Sequence, residues 1–83
     1  MILVTFRNFD NDCFIDHNFN ASSAEEAFEQ IRVAYAEDMC LNRGYNLRDE
    51  DTRNIYVYNP ETRLRDYYGS TVDGLRNYLE THI

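Results

Sequence analysis

The sequence contains no lysine: all eight of its basic side chains are arginines. Its cations are therefore planar, weakly hydrated guanidinium groups, suited to bidentate pairing with carboxylates and to stacking on aromatic rings. A GC-rich coding bias does not account for this, because it would also deplete Asn, Tyr and Ile, and the chain holds nine, seven and five of these. Proline occurs once, at Pro60, and the three glycines stand alone at Gly44, Gly69 and Gly74. Isolated glycines build no phosphate-cradling loop, which argues against nucleotide chemistry of the P-loop or dinucleotide type. Cys13 and Cys40 are too few for a disulfide framework and read as half-buried thiols in a reducing cytosol. No apolar run approaches the roughly 18 residues of a membrane span, and MILVTFRNFD turns polar within seven residues without a basic leader. The expectation is a soluble, cytoplasmic protein with no membrane partner.

What is present suffices for one folded domain over residues 1–83, since 43% of the residues are apolar and 28% charged. Ile2, Val4 and Phe6 alternate with Thr5 and Arg7, as in a strand with one buried face. Asp10, Asn11 and Asp12 supply a turn, and Cys13 to Phe19 returns as a second strand with Cys13, Ile15, His17 and Phe19 on one side. Ser23 precedes Glu26 by three residues, the spacing of a reciprocal helix cap. Ala24, Ala27, Phe28, Ile31, Ala34 and Tyr35 then form an apolar stripe, so a helix is predicted from Ser23 to Arg43, closed by Gly44.

Residues Tyr45 to Asp51 are polar and acidic, and read as a loop. A third strand is predicted over Arg53 to Tyr58, a turn at Asn59 and Pro60, and a fourth strand over Arg63 to Tyr68. A terminal helix capped by Ser70 follows, with Val72, Leu75, Leu79 and Ile83 as its apolar face and Gly74 weakening it by roughly 1 kcal/mol relative to Ala. The expected fold class is α+β: a ββαββα order with a small antiparallel sheet and both helices on one face.

Catalytic and metal constellations fail on spacing. Cys13 and His17 share a strand face, but residues four apart in a strand are separated by about 13 Å, too far to share a metal or a proton. Asp10, Asp12 and Asp16 fit three positions of a calcium loop, yet Phe14 and Ile15 stand where an oxygen ligand and a glycine are required. His82 lies at the fraying end of the chain. The chain is accordingly expected to be no enzyme, with no catalytic residues, no metal and no cofactor.

Charge gives the positive signal. Fifteen acids against eight arginines leave a formal charge of −7, concentrated in residues 1–52. Glu25, Glu26, Glu29, Glu37, Asp38, Asp49, Glu50 and Asp51 are the candidate acidic face, a field that repels nucleic acid and attracts basic protein surfaces. Beside it, IYVYNPETRLRDYY gathers tyrosine and arginine, the residue types most often found as binding anchors. With Ile55, Val57 and Leu64 turned to the core, Tyr56, Tyr58, Arg63, Arg65 and Tyr67 are expected to share the sheet's outer face.

In this overall build, small, acidic and of mixed sheet and helix, the chain resembles the inhibitors made by bacteriophages and mobile elements, including anti-CRISPR and anti-restriction proteins. The resemblance implies an inhibitor that binds a protein and either mimics nucleic acid or blocks a nucleic-acid-binding groove, while the acidic charge leads us to expect no direct contact with nucleic acid. The alternative is a structural module that self-associates through the tyrosine and arginine hairpin, so either a monomer or a homodimer is expected.

Overall fold

Strand β1, Ile2–Asn8, lies inside a four-stranded antiparallel sheet of order β2-β1-β3-β4, flanked by β2, Ile15–Ala21, and β3, Ile55–Tyr58, with β4, Tyr67–Tyr68, beyond. The structure, a computed structural model, describes residues 2–10, 15–41, 46–58 and 67–83. Helices α1, Ala24–Met39, and α3, Val72–His82, cover one face of the sheet, and a short helix α2, Asp49–Thr52, precedes β3. This is the expected α+β class and ββαββα order of elements along the chain, with α2 added; the order of strands within the sheet is set by the structure.

The alternation of β1 sets the layers. Val4 and Phe6 are buried and pair in register with Phe19 and His17 of β2, while Phe6 also faces Val57 of β3. The same side of the sheet meets Ala27, Phe28, Ile31 and Tyr35 of α1 and Leu75 and Leu79 of α3 in one continuous core. Arg76 of α3 lies over the Phe28 ring of α1, 3.9 Å from its centroid, a cation held against an aromatic face between the helices.

Local chemistry explains where the elements end. Ser23 accepts a hydrogen bond from the Glu26 backbone amide at 3.1 Å, as its spacing predicts, but the Glu26 carboxylate reaches Ser22 Oγ instead, at 2.6 Å. Helix α1 stops at Met39, short of the predicted Arg43. Cys40 adopts left-handed dihedrals, φ 51° and ψ 49°, and Leu41 donates its amide to the Ala36 carbonyl at 3.2 Å. Leu41 then packs on the core, so docking of that apolar side chain turns the chain out of the helix. The predicted cap Gly44 lies outside the described residues.

The acidic loop expected up to Asp51 contains α2. Its Asp51 carboxylate accepts from the Arg48 backbone amide at 2.8 Å and is buried at 6% exposure. Strand β3 begins at Ile55 and not at Arg53, because Asn54 donates to the Asp51 carbonyl at 3.0 Å and closes a turn there. The cap of α3 is Thr71, one residue after the predicted Ser70: its hydroxyl accepts from the Gly74 amide at 2.9 Å. Of the predicted fourth strand, Arg63, Leu64 and Arg65 lie outside the described residues.

A candidate interaction surface on the open sheet face

The outer face of the sheet is built by register. Arg7 stands opposite Asp16 on β2 and opposite Tyr56 on β3, and Tyr56 stands opposite Tyr68 on β4. One row crossing all four strands thus presents a carboxylate, a guanidinium and two phenol rings. The Tyr56 ring stacks on Tyr68 at 4.6 Å between centroids and on Tyr58 at 5.0 Å, making a continuous three-ring stack. Below Tyr58, Thr5 donates to Asn18 Oδ1 at 2.7 Å and is itself 2% exposed.

Arg7 and Asp16 form a two-pronged pair, Nε to Oδ1 at 2.7 Å and Nη2 to Oδ2 at 3.0 Å. The Asp16 hydrogen bond holds the guanidinium proton more firmly than usual, and Arg7 in turn holds the Asp16 carboxyl below its ordinary value. The pairing fixes the planar Arg7 head beside the rings. Arg7, Phe9, Tyr56 and Tyr68 line an open concavity of about 240 Å³. Tyr68 is 69% exposed, and is the exposed large hydrophobic side chain among the described residues.

Two sequence-predicted members, Tyr56 and Tyr58, sit on this face. Tyr67 does not. It pairs with Val57, so it points to the helix side, where its ring stacks on Tyr78 of α3 at 5.0 Å. Side chains alternate across a strand, and a shift of one position moves a residue through the sheet. Tyr68 takes the outer position assigned to Tyr67. Arg7, Asp16 and Tyr68 were missed as partners because only cross-strand register places them in one row; the Arg-to-Asp pairing potential was legible, its location was not.

The predicted acidic face separates into two kinds of residue. Asp38 is drawn inward: its Oδ2 lies 2.8 Å from His17 Nε2 and accepts from Asn8 Nδ2 at 3.2 Å, tying α1 to the sheet, with 13% of its side chain exposed. Asp51 is buried, its Oδ1 3.4 Å from the Tyr35 hydroxyl. These two correct the prediction, since buried polar groups between elements drew the carboxylates in as partners. Glu25, Glu29 and Glu37 are exposed on α1, with Glu29 paired to Arg32, and Glu26 is half-buried at the helix start. Asp49 is exposed yet caps α3 by accepting from the Val72 amide at 2.9 Å, and Glu50 pairs with Arg48 at 3.0 Å.

Because α1 buries Ala27, Phe28, Ile31 and Tyr35 against the sheet, its glutamates face away from it. The exposed acids of α1 and the tyrosine stack therefore lie on opposite sides of the molecule, and one flat surface cannot meet both. Among the described residues, no cluster of three or more His, Cys, Asp or Glu side chains is placed to hold a metal ion, and no helix is long and apolar enough to cross a membrane. Compared with protein-family models, curated proteins and solved structures, the chain matches none.

Proposed function

We propose that this chain is a non-enzymatic protein-binding inhibitor or regulator that docks its open sheet face on a partner with a basic, nucleic-acid-binding surface. The observation that carries the reading is the row Asp16, Arg7, Tyr56 and Tyr68, with a stacked and accessible tyrosine at its end. Rigid stacked phenols and a guanidinium held in place by its carboxylate lose little freedom on binding, which is what makes such residues effective anchors. The net charge of −7 supplies the steering: the field favours approach to a basic protein and opposes nucleic acid. The exposed glutamates of α1, on the far side, contribute to this field without contacting the partner.

The resemblance in build to phage and mobile-element inhibitors supports a target among cytoplasmic defence or nucleic-acid-processing complexes. The test has two steps. Immobilised protein captures a partner from host extract, and the captured partner's nucleic-acid binding is then measured with and without the chain. The expected result is that the chain displaces nucleic acid, that raised salt weakens the complex, and that Tyr68→Ala lowers affinity roughly tenfold. A captured partner that keeps its nucleic acid at saturation, or that binds Tyr68→Ala as tightly as wild type, overturns the reading.

A further inference from the structure

Strand β2 is the outer strand of the sheet among the described residues, and it pairs with β1 without interruption over seven residues. Edge strands of this length are normally guarded by lysine, proline or a bulge, because their outward amides and carbonyls template further pairing. Between Ile15 and Ala21 there is no lysine and no proline, and the register with β1 contains no bulge.

Which groups face outward follows from the hydrogen bonding. The Phe9 amide donates to the Asn54 carbonyl at 3.1 Å, so the odd-numbered residues of β1 bond toward β3 and the even-numbered ones toward β2. Ile15, His17, Phe19 and Ala21 are then the residues of β2 whose backbones bond β1. The backbones of Asp16, Asn18 and Asn20 are directed to the open edge. An independent contact agrees and marks the capped position: the Gln30 side chain of α1 reaches the Asn20 carbonyl at 3.4 Å, a long contact that the Asp16 amide of an added strand would replace.

We propose that a second copy of this chain occupies that edge, β2 against β2, antiparallel about a twofold axis through Asn18, extending each four-stranded sheet into one of eight strands. The strand is self-complementary in that register. Asp16 faces Asn20 of the second copy, a carboxylate against an amide, and Asn18 faces its own equivalent, so no like charges oppose one another. On the helix side His17 faces Phe19 of the second copy and Ile15 faces Ala21. Ile15, His17 and Phe19 are half-exposed in the single chain. Pairing covers this strip. The dimer leaves the tyrosine stack and Arg7 on β1, β3 and β4 clear of the seam; Asp16, whose carboxylate holds Arg7, is the residue of the docking row that also stands at the seam.

Sedimentation equilibrium of the whole chain over a dilution series reaching millimolar concentration tests the proposal. The expected result is a reversible monomer–dimer equilibrium that tightens as salt screens the like net charges, opposite in sign to the salt response of the basic-partner complex. Asn18→Pro removes the outward amide on the axis, and Asn18→Lys places two cations face to face; both are expected to leave monomer. Asn20→Lys sets a cation opposite Asp16 of the second copy and is expected to tighten the dimer severalfold. Circular dichroism checks each variant for folding, and Asn18→Lys and Asn20→Lys, which keep every backbone amide, decide the matter if the proline variant does not fold. A monomer throughout, or a dimer indifferent to both lysine substitutions, overturns the proposal.

Discussion

At Gly69, a side chain is excluded by a neighbour that cannot yield. A Cβ built there would lie 1.9 Å from the Thr52 carbonyl oxygen and 2.7 Å from its carbon, backbone atoms at the end of α2. The Gly69 amide meanwhile donates to the Ile55 carbonyl at 3.0 Å, so the chain is pinned on both sides. Gly69→Ala is expected to destabilise the protein by roughly 1–3 kcal/mol, through displacement of α2 or β4. Chemical denaturation measures this, and an unchanged midpoint would refute the close approach. Cys40 is the converse case, a residue with a side chain where none is favoured. It holds φ 51° to close α1 and is exposed. Cys40→Gly relieves the left-handed strain and is expected to raise stability by about 1 kcal/mol, read from the same denaturation curves.

Among the elements, those specified by neighbours in sequence were legible and those specified by neighbours in space were not. The alternation of β1, the Ser23 cap and the apolar stripe of α1 depend on residues within one or two turns of each other, and each appears where its spacing predicts. Helix α2 was missed because its residues carry no apolar pattern. Beside the local Arg48-to-Asp51 cap, its order comes from distant partners: Asp51 meets Tyr35, Asp49 meets the Val72 amide, and Thr52 meets Gly69. The Tyr67 and Tyr68 assignment failed for a related reason, since the face of a two-residue strand is set by its pairing with β3 and not by its own composition. The acidic candidates repeat the lesson: sequence marks Asp38 and Asp51 as charges, and only the approach of His17, Asn8 and Tyr35 makes them internal ties.

For the molecule as a whole, Tyr35 links stability to alkaline pH. Its ring is 2% exposed and its hydroxyl donates to Asp10 Oδ2 at 3.1 Å. Burial first, and the nearby Asp51 and Asp10 carboxylates after it, push this phenol up to about 12 from its ordinary value of 10.0. The native state thus keeps a proton that the unfolded chain releases at lower pH. The contribution is complete below about 10 and is lost as pH rises from there to about 12, amounting to roughly 3 kcal/mol. Thermal melts between neutral pH and pH 12 are expected to show this fall, with Tyr35→Phe reducing its slope even if that variant starts from a lower stability at neutral pH.

The stacked outer rings have an optical consequence. With no tryptophan in the chain to collect their excitation, the seven tyrosines are its aromatic emitters, and the Tyr56 ring lies 5.0 Å from Tyr58 on one side and 4.6 Å from Tyr68 on the other. Excitation absorbed by one of these rings passes readily to the next, and the most accessible ring stands at the end of the series. The face on which a partner would settle is therefore also where the protein's own ultraviolet emission is open to quenching, so the unlabelled molecule reports its own contacts.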